Sequence, residues 1–170
     1  MSPGKIKPFV DEAELHLRRA EHQVFVSLKY TRTGDVIINA INRMLEAFQV
    51  IFDGLLAIAV KEGKIEEAPE SIIQKLKKIK ELYPEQVVED NIKLYKFLNS
   101  FMKSKLRAEN EYRKNVTLIG VVNNQETYID IETITNYFMV IKELLKYLKE
   151  KAGKYIEEEK EEDEKGIDIF

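Results

Sequence analysis

The chain has no cysteine and no tryptophan among its 170 residues, only two histidines and four prolines, and just seven glycines. Each scarcity removes a class of function. Without cysteine there is no disulfide frame, no thiolate nucleophile and no cysteine-rich zinc site, which points to a cytoplasmic protein. The glycines are scattered and form neither G-x-G-x-x-G nor G-x-x-x-x-G-K, so a phosphate cradle built from backbone amides is not expected. His16 and His22 fall in one helical segment and point about 120° away from each other, unlike metal ligands spaced one turn apart. Neither a metal nor a cofactor is expected. No apolar run reaches the length of a membrane span, and the opening "MSPGKIKPFV" has charge and proline where a signal peptide needs an apolar stretch, so no membrane association is expected.

What is present is apolar and charged in large amounts. An apolar content of 44% is enough to fill the core of a single globular domain. Abundant Lys, Glu and Ile, with Cys and Trp missing, resembles the composition of thermophile proteins. The net charge of −3 is unevenly spread. "EEEKEEDEK", Glu157 to Lys165, is strongly acidic and leaves the rest of the chain mildly basic, which divides it into a helical domain over residues 1–156 and an acidic tail over 157–170. Like charges one helical turn apart repel, so the tail reads as a solvated helix end or a disordered one.

Apolar periodicity is helical nearly everywhere. Ala13, Leu17, Ala20, Val24 and Leu28 alternate steps of four and three, marking a first helix over about Val10 to Tyr30 that "TRTGD" breaks. A second helix, Asp35 to Lys61, has one apolar line at Ile37, Ile41, Met44, Phe48 and Ile51 and another beside it at Ile38, Leu45 and Phe52. Such a helix is buried on more than one side, is about 40 Å long, and has Gly63 in position for a left-handed cap. Pro69 suits the first turn of a third helix through "ESIIQKLKKIKELY", and Pro84 separates it from a fourth. The fourth is expected to decay between Arg113 and Gly120. Asp130 is a suitable N-cap for a last helix with Ile134, Phe138, Ile141, Leu145 and Leu148 on one face. "VTLIGVV" is β-branched, but a lone strand has no partner, so Val116 to Ile129 reads as frayed helix and loop. The fold class is therefore all-α, an antiparallel bundle of about five helices, with Ile41, Met44, Phe48, Ile51, Phe138, Ile141 and Leu145 in its core.

One stretch has the chemistry of a polyanion-binding face. Lys93 to Lys114 carries Lys93, Lys96, Lys103, Lys105, Arg107, Arg113 and Lys114 against only Glu109 and Glu111, with aromatic residues interleaved. The plain alternative is a solvated helix whose aromatics are core. The candidate phosphate or nucleic-acid contacts are Lys103, Lys105, Arg107, Tyr112, Arg113 and Lys114.

The order of segments resembles the HEPN family of helical nucleotide- and RNA-associated domains. The resemblance spans about residues 10 to 155 and rests on "AELHLRRAEHQVFVSLKYT", the "TGD" loop, the long apolar "AINRMLEAFQVIFDGLLAIAVKEGK", a short lysine-rich helix, and a long helix after "YIDIETI". It implies a homodimer. In RNA-cleaving members it also implies an Arg followed four to six residues later by His, ahead of the last helix. Here Arg113 is followed by Thr117, Leu118 and Ile119, and Arg107 by Glu111, Tyr112 and Arg113, so neither register supplies a histidine, although Arg107 to Tyr112 matches an R-x-x-x-x-Y variant. Metal-independent RNA cleavage needs a base near neutral pKa to take the 2′-hydroxyl proton, and a tyrosine with a reference pKa of about 10 is poorly suited. The sequence thus reads as a non-catalytic binding or interaction module, engaging RNA, a nucleotide phosphate or a protein partner; a metal-independent RNA endonuclease with an atypical site is the alternative.

Overall fold

The computed structural model describes residues 4–168, and its organising element is one long helix buried over most of its girth, with only the stripe Asp35, Asn39, Asn42, Glu46 and Gln49 exposed. The chain order is α1 (Lys7–His22), continued by a π-helical turn (Gln23–Ser27) and the short α2 (Leu28–Tyr30); α3 (Gly34–Lys61); α4 (Ile72–Leu82); α5 (Gln86–Lys103); β1 (Arg107–Glu109), β2 (Thr117–Val122) and β3 (Gln125–Ile129); and α6 (Ile131–Asp168). The molecule is mostly helical, broadly all-α, with one small sheet. Among the described residues no helix is long and apolar enough to cross a membrane.

The apolar stripes do what their spacing requires. Val10, Ala13, Leu17, Ala20, Val24 and Leu28 line the buried side of the first rod, which lies against α3 and α6. On α3 both apolar lines are used: Ile37, Ile41, Met44, Phe48, Ile51 and Phe52 are fully buried, with Ile38 and Leu45 partly so. Phe138, Ile141 and Leu145 of α6 complete the core as the spacing predicts.

Helix ends follow local chemistry. The Thr33 hydroxyl accepts from Val36 N at 3.4 Å at the start of α3, and Asp130 accepts from Thr133 N at 2.8 Å at the start of α6. At the other end of α3, Gly63 has φ +75°; Lys64 N donates to Ala59 O at 2.9 Å and Gly63 N to Val60 O at 3.0 Å, the pair of hydrogen bonds of a Schellman cap. Pro69 stands outside its helix instead of in the first turn, because the Ser71 hydroxyl accepts from Gln74 N at 3.2 Å and starts α4 there.

Two expectations are corrected. First, Val116 to Ile129 is not frayed helix and loop. β2 pairs antiparallel with β1 on one side and with β3 on the other, so it has the partners it was expected to lack. Asn123 and Asn124, with φ of +52° and +61°, make the two-residue turn that joins Val122 to Gln125. Second, the acidic tail is not wholly solvated. α6 runs on through it, and Glu159 is only 4% exposed. Its carboxylate accepts from Ile6 N at 2.6 Å and Lys7 N at 3.2 Å, while Lys61 Nζ stands 3.5 Å away. No side chain of its own caps α1, so the tail supplies the anion that its N-terminal amides need. The neighbouring Glu157, Glu158, Glu161 and Glu162 are exposed, as expected of a solvated end. The terminal Ile169 and Phe170 lie outside the described residues.

Two tyrosine–carboxylate pairs also tie α6 to the bundle. Tyr155 donates to Glu62 at 2.6 Å and Tyr147 to Glu85 at 2.8 Å, and these donors hold both carboxyls below their usual pKa. A carboxyl depressed in the folded state contributes stability that is present above its unfolded pKa, near 4.5, and is lost as pH falls through the folded value. Tyr155→Phe should therefore shift acid unfolding, followed by circular dichroism, to higher pH while leaving neutral-pH secondary structure intact. Glu159→Ala leaves the buried Ile6 amide and the part-buried Lys7 amide without their acceptor and should cost about 2 kcal/mol, seen as a lower melting temperature. Glu161→Ala, on the exposed side of the same helix, should leave it unchanged.

Candidate nucleic-acid interface

A basic face along the fourth helix does not form. α5 ends at Lys103, and of the six candidate residues only Lys103 is helical. The stop is made by Ser104, whose hydroxyl donates to Phe101 O at 2.7 Å and accepts from Val121 N at 2.9 Å, tying the helix end to β2. Gly120 makes room for this. A Cβ there would meet Ser104 Oγ at 2.7 Å and the Phe101 ring at 2.8 Å.

The structure divides the candidates into two groups. Lys105 and Arg107 border a shallow cleft of about 320 Å³ on the outer side of the sheet, together with Glu126. There the Arg107 guanidinium binds the Glu126 carboxylate and lies 3.5 Å from Glu109, and Tyr128 donates to the second oxygen of Glu126 at 3.1 Å. That contact raises the Tyr128 pKa. Arg107 is thus neutralised by its own strand neighbours and faces these carboxylates instead of Tyr112.

Tyr112, Arg113 and Lys114 form the second group, in the connection from β1 to β2. This loop is fastened to the start of α3. Glu111 accepts from Gly34 N at 3.1 Å, adding a carboxylate to the N-terminus of α3, and Tyr112 N donates to Arg32 O at 2.6 Å. Ala108 packs on Gly34 so closely that a Cβ on that glycine would sit 2.7 Å from the alanine methyl. Asn110 and Tyr112 take left-handed backbone, φ +58° and +68°. For asparagine this is common; for tyrosine it is strained. The strained residue leaves its ring 79% exposed.

Docking the loop on Arg32 brings in residues that sequence reasoning missed. Two positions before Arg32 is Tyr30, 78% exposed, with the Lys29 ammonium 5.9 Å from its ring centre. The surface therefore joins two outward tyrosines to Lys29, Arg32, Arg113 and Lys114. None of these four cations forms an ion pair among the described residues, and Arg32 Nε is buried with no hydrogen-bond partner. Glu111 is occupied by the α3 amide, leaving Asp35 as the exposed carboxylate at this helix start. The signal was available in "KYTRTGD", where an aromatic sits between two cations at a helix end, but nothing in the chain order links it to residues 80 positions later.

This surface combines exposed rings with cations, and among the described residues no histidine stands at it. The two histidines are used elsewhere: His16 Nδ1 is 3.0 Å from Glu46 on α3, and His22 Nδ1 is 3.4 Å from the Ser27 hydroxyl. Among the described residues no group of three or more His, Asp or Glu is placed to hold a metal ion. No family model, curated protein or solved structure matches this chain.

Proposed function

We propose that this chain is a non-catalytic, HEPN-like helical module that binds single-stranded RNA, working as a homodimer as the family resemblance implies. The observation that carries the reading is the pair of exposed tyrosines, Tyr30 at 78% and Tyr112 at 79%, one at the end of α2 and one on the loop docked beside it, with four cations that form no ion pair among the described residues. Exposed aromatic rings interleaved with Lys and Arg are the pattern of single-strand binding. Every unpaired base has a face to stack, and each stack is worth about 1–3 kcal/mol, whereas a duplex hides its base faces. Strain at Tyr112 supports the same reading, since backbone tension at an outward aromatic is retained where a ligand uses it. The absence of a suitably placed general base supports binding without cleavage, which separates this reading from an atypical endonuclease.

The test is fluorescence anisotropy with a labelled oligouridylate at low salt. Wild type should bind, Tyr30→Ala with Tyr112→Ala should weaken binding about tenfold or more, and Arg113→Ala with Lys114→Ala should flatten the log–log salt dependence by about 0.7 per lost phosphate contact. Arg107→Ala should change affinity little, because its charge is already matched. Full retention of affinity by the tyrosine double variant, or no binding by wild type, would overturn the reading, and 2′,3′-cyclic phosphate ends in a clean preparation would refute its non-catalytic half.

A further inference from the structure

A second surface, built from segments that lie between Tyr30 and Tyr112 in the sequence, carries a different complement of groups. α4 and α5 enclose a groove of about 630 Å³. Its floor and lip are aliphatic: Ile72, Ile73, Leu76 and Ile92. Leu76 and Ile92 are buried, whereas Ile73 is 79% exposed, an apolar side chain left at the lip with nothing over it. Its rim is basic. Lys77 and Lys80 stand on α4, Lys93 and Lys96 on α5, against Glu89 as the one acidic lining residue. Lys93 meets Glu89 at 3.5 Å, and the other three lysines form no ion pair among the described residues.

The walls are held from behind. Lys75 donates to Asp53 at 2.9 Å, and the Tyr83 hydroxyl to Leu55 O at 2.7 Å, so both ends of α4 are fastened to α3 without using the groove side. Tyr95 lies at the base of the groove. Its ring is edge-on to Phe48 and Phe52, and its hydroxyl makes none of the hydrogen bonds found among the described residues.

We propose that the α4–α5 groove docks an acidic amphipathic helix of a partner protein. Charge complementarity selects the sign, because three unpaired lysines on two walls attract carboxylates. The aliphatic floor selects a peptide over a nucleic acid. The single aromatic in the lining, Tyr95, is 4% exposed and turned edge-on into the core, so bases have no ring to stack on here, unlike the surface at Tyr30 and Tyr112. α4 is 11 residues long, about 16 Å, which matches roughly three turns of a partner helix. Leucine-like side chains one turn apart would cover Ile73 and Ile92, and flanking glutamates would meet Lys77, Lys80 and Lys96. This interaction is independent of RNA binding, since it uses none of the same residues.

The experiment titrates the full chain with a labelled synthetic helix of about four turns, made of Glu, Ala and Leu with leucines in a four-three stripe. Two controls accompany it, a scrambled peptide of equal composition and the same stripe with Lys replacing Glu. The acidic striped helix should bind about tenfold tighter than either control at low salt. Lys77→Glu with Lys96→Glu should remove that preference, and so should Ile73→Asp, with melting temperature and oligouridylate affinity as in wild type. Equal binding of the scrambled peptide, or unaltered binding by these variants, would overturn the proposal. So would loss of oligouridylate binding in the lysine variant, which would make the groove a nucleic-acid surface. Conversion of a dimer to monomer by Ile73→Asp, with no peptide bound by wild type, would make it a seam between two copies and equally overturn the proposal.

Discussion

Burial of α3 on all but one polar stripe, Asp35, Asn39, Asn42, Glu46 and Gln49, is the constraint from which the rest of the molecule follows. A helix with Ile37, Ile41, Met44, Phe48, Ile51 and Phe52 all fully buried needs neighbours on every side but that one, and α1, α4, α5, α6 and the sheet supply them. Each fully buried aliphatic or aromatic side chain contributes about 1.5–3 kcal/mol relative to exposure, so this helix is a major source of the fold's stability. Such a helix also presents its two ends as problems of unsatisfied backbone. The C-terminal end solves its own through Gly63. The N-terminal end recruits a loop from elsewhere, through the Glu111 carboxylate on Gly34 N.

That recruitment positions the candidate site. The loop that caps α3 is the loop that carries Tyr112, Arg113 and Lys114, and the hydrogen bond from Tyr112 N to Arg32 O sets it beside Lys29 and Tyr30. A structural need and a surface with binding chemistry thus share one short segment. The same economy appears at the opposite end of the bundle, where Glu159 in an otherwise solvated acidic tail completes the amides of α1. In both places a carboxylate distant in sequence finishes a helix start that lacks enough local acceptors.

The long helices were legible because their signals are local. Four-three spacing placed α3 and α6, and Asp130 and Gly63 marked their ends by cap chemistry that depends on a few adjacent residues. The sheet was not legible by the same means. Apolar spacing continues past Lys103 through Leu106, and the helix stops there only because Ser104 and Gly120 meet across 16 positions. β2 was recognisable as β-branched, but its partners are a three-residue strand and a hairpin whose Asn-Asn turn went unread. For the site, Tyr112, Arg113 and Lys114 could be named from sequence. The loss of Arg107 to Glu126 and the gain of Lys29, Tyr30 and Arg32 are products of folding, since they join segments whose order in the chain gives no hint of contact.

The central claim is that RNA is held where the two loops meet, and amide chemical shifts on a labelled sample report this most directly. On titration with oligouridylate, the account predicts that amides of Tyr30 to Gly34 and Glu111 to Lys114 move together, Tyr112 among the largest, while those lining the α4–α5 groove stay in place. Shifts confined to α4 and α5, or no shifts at concentrations where the strand is retained, would contradict it.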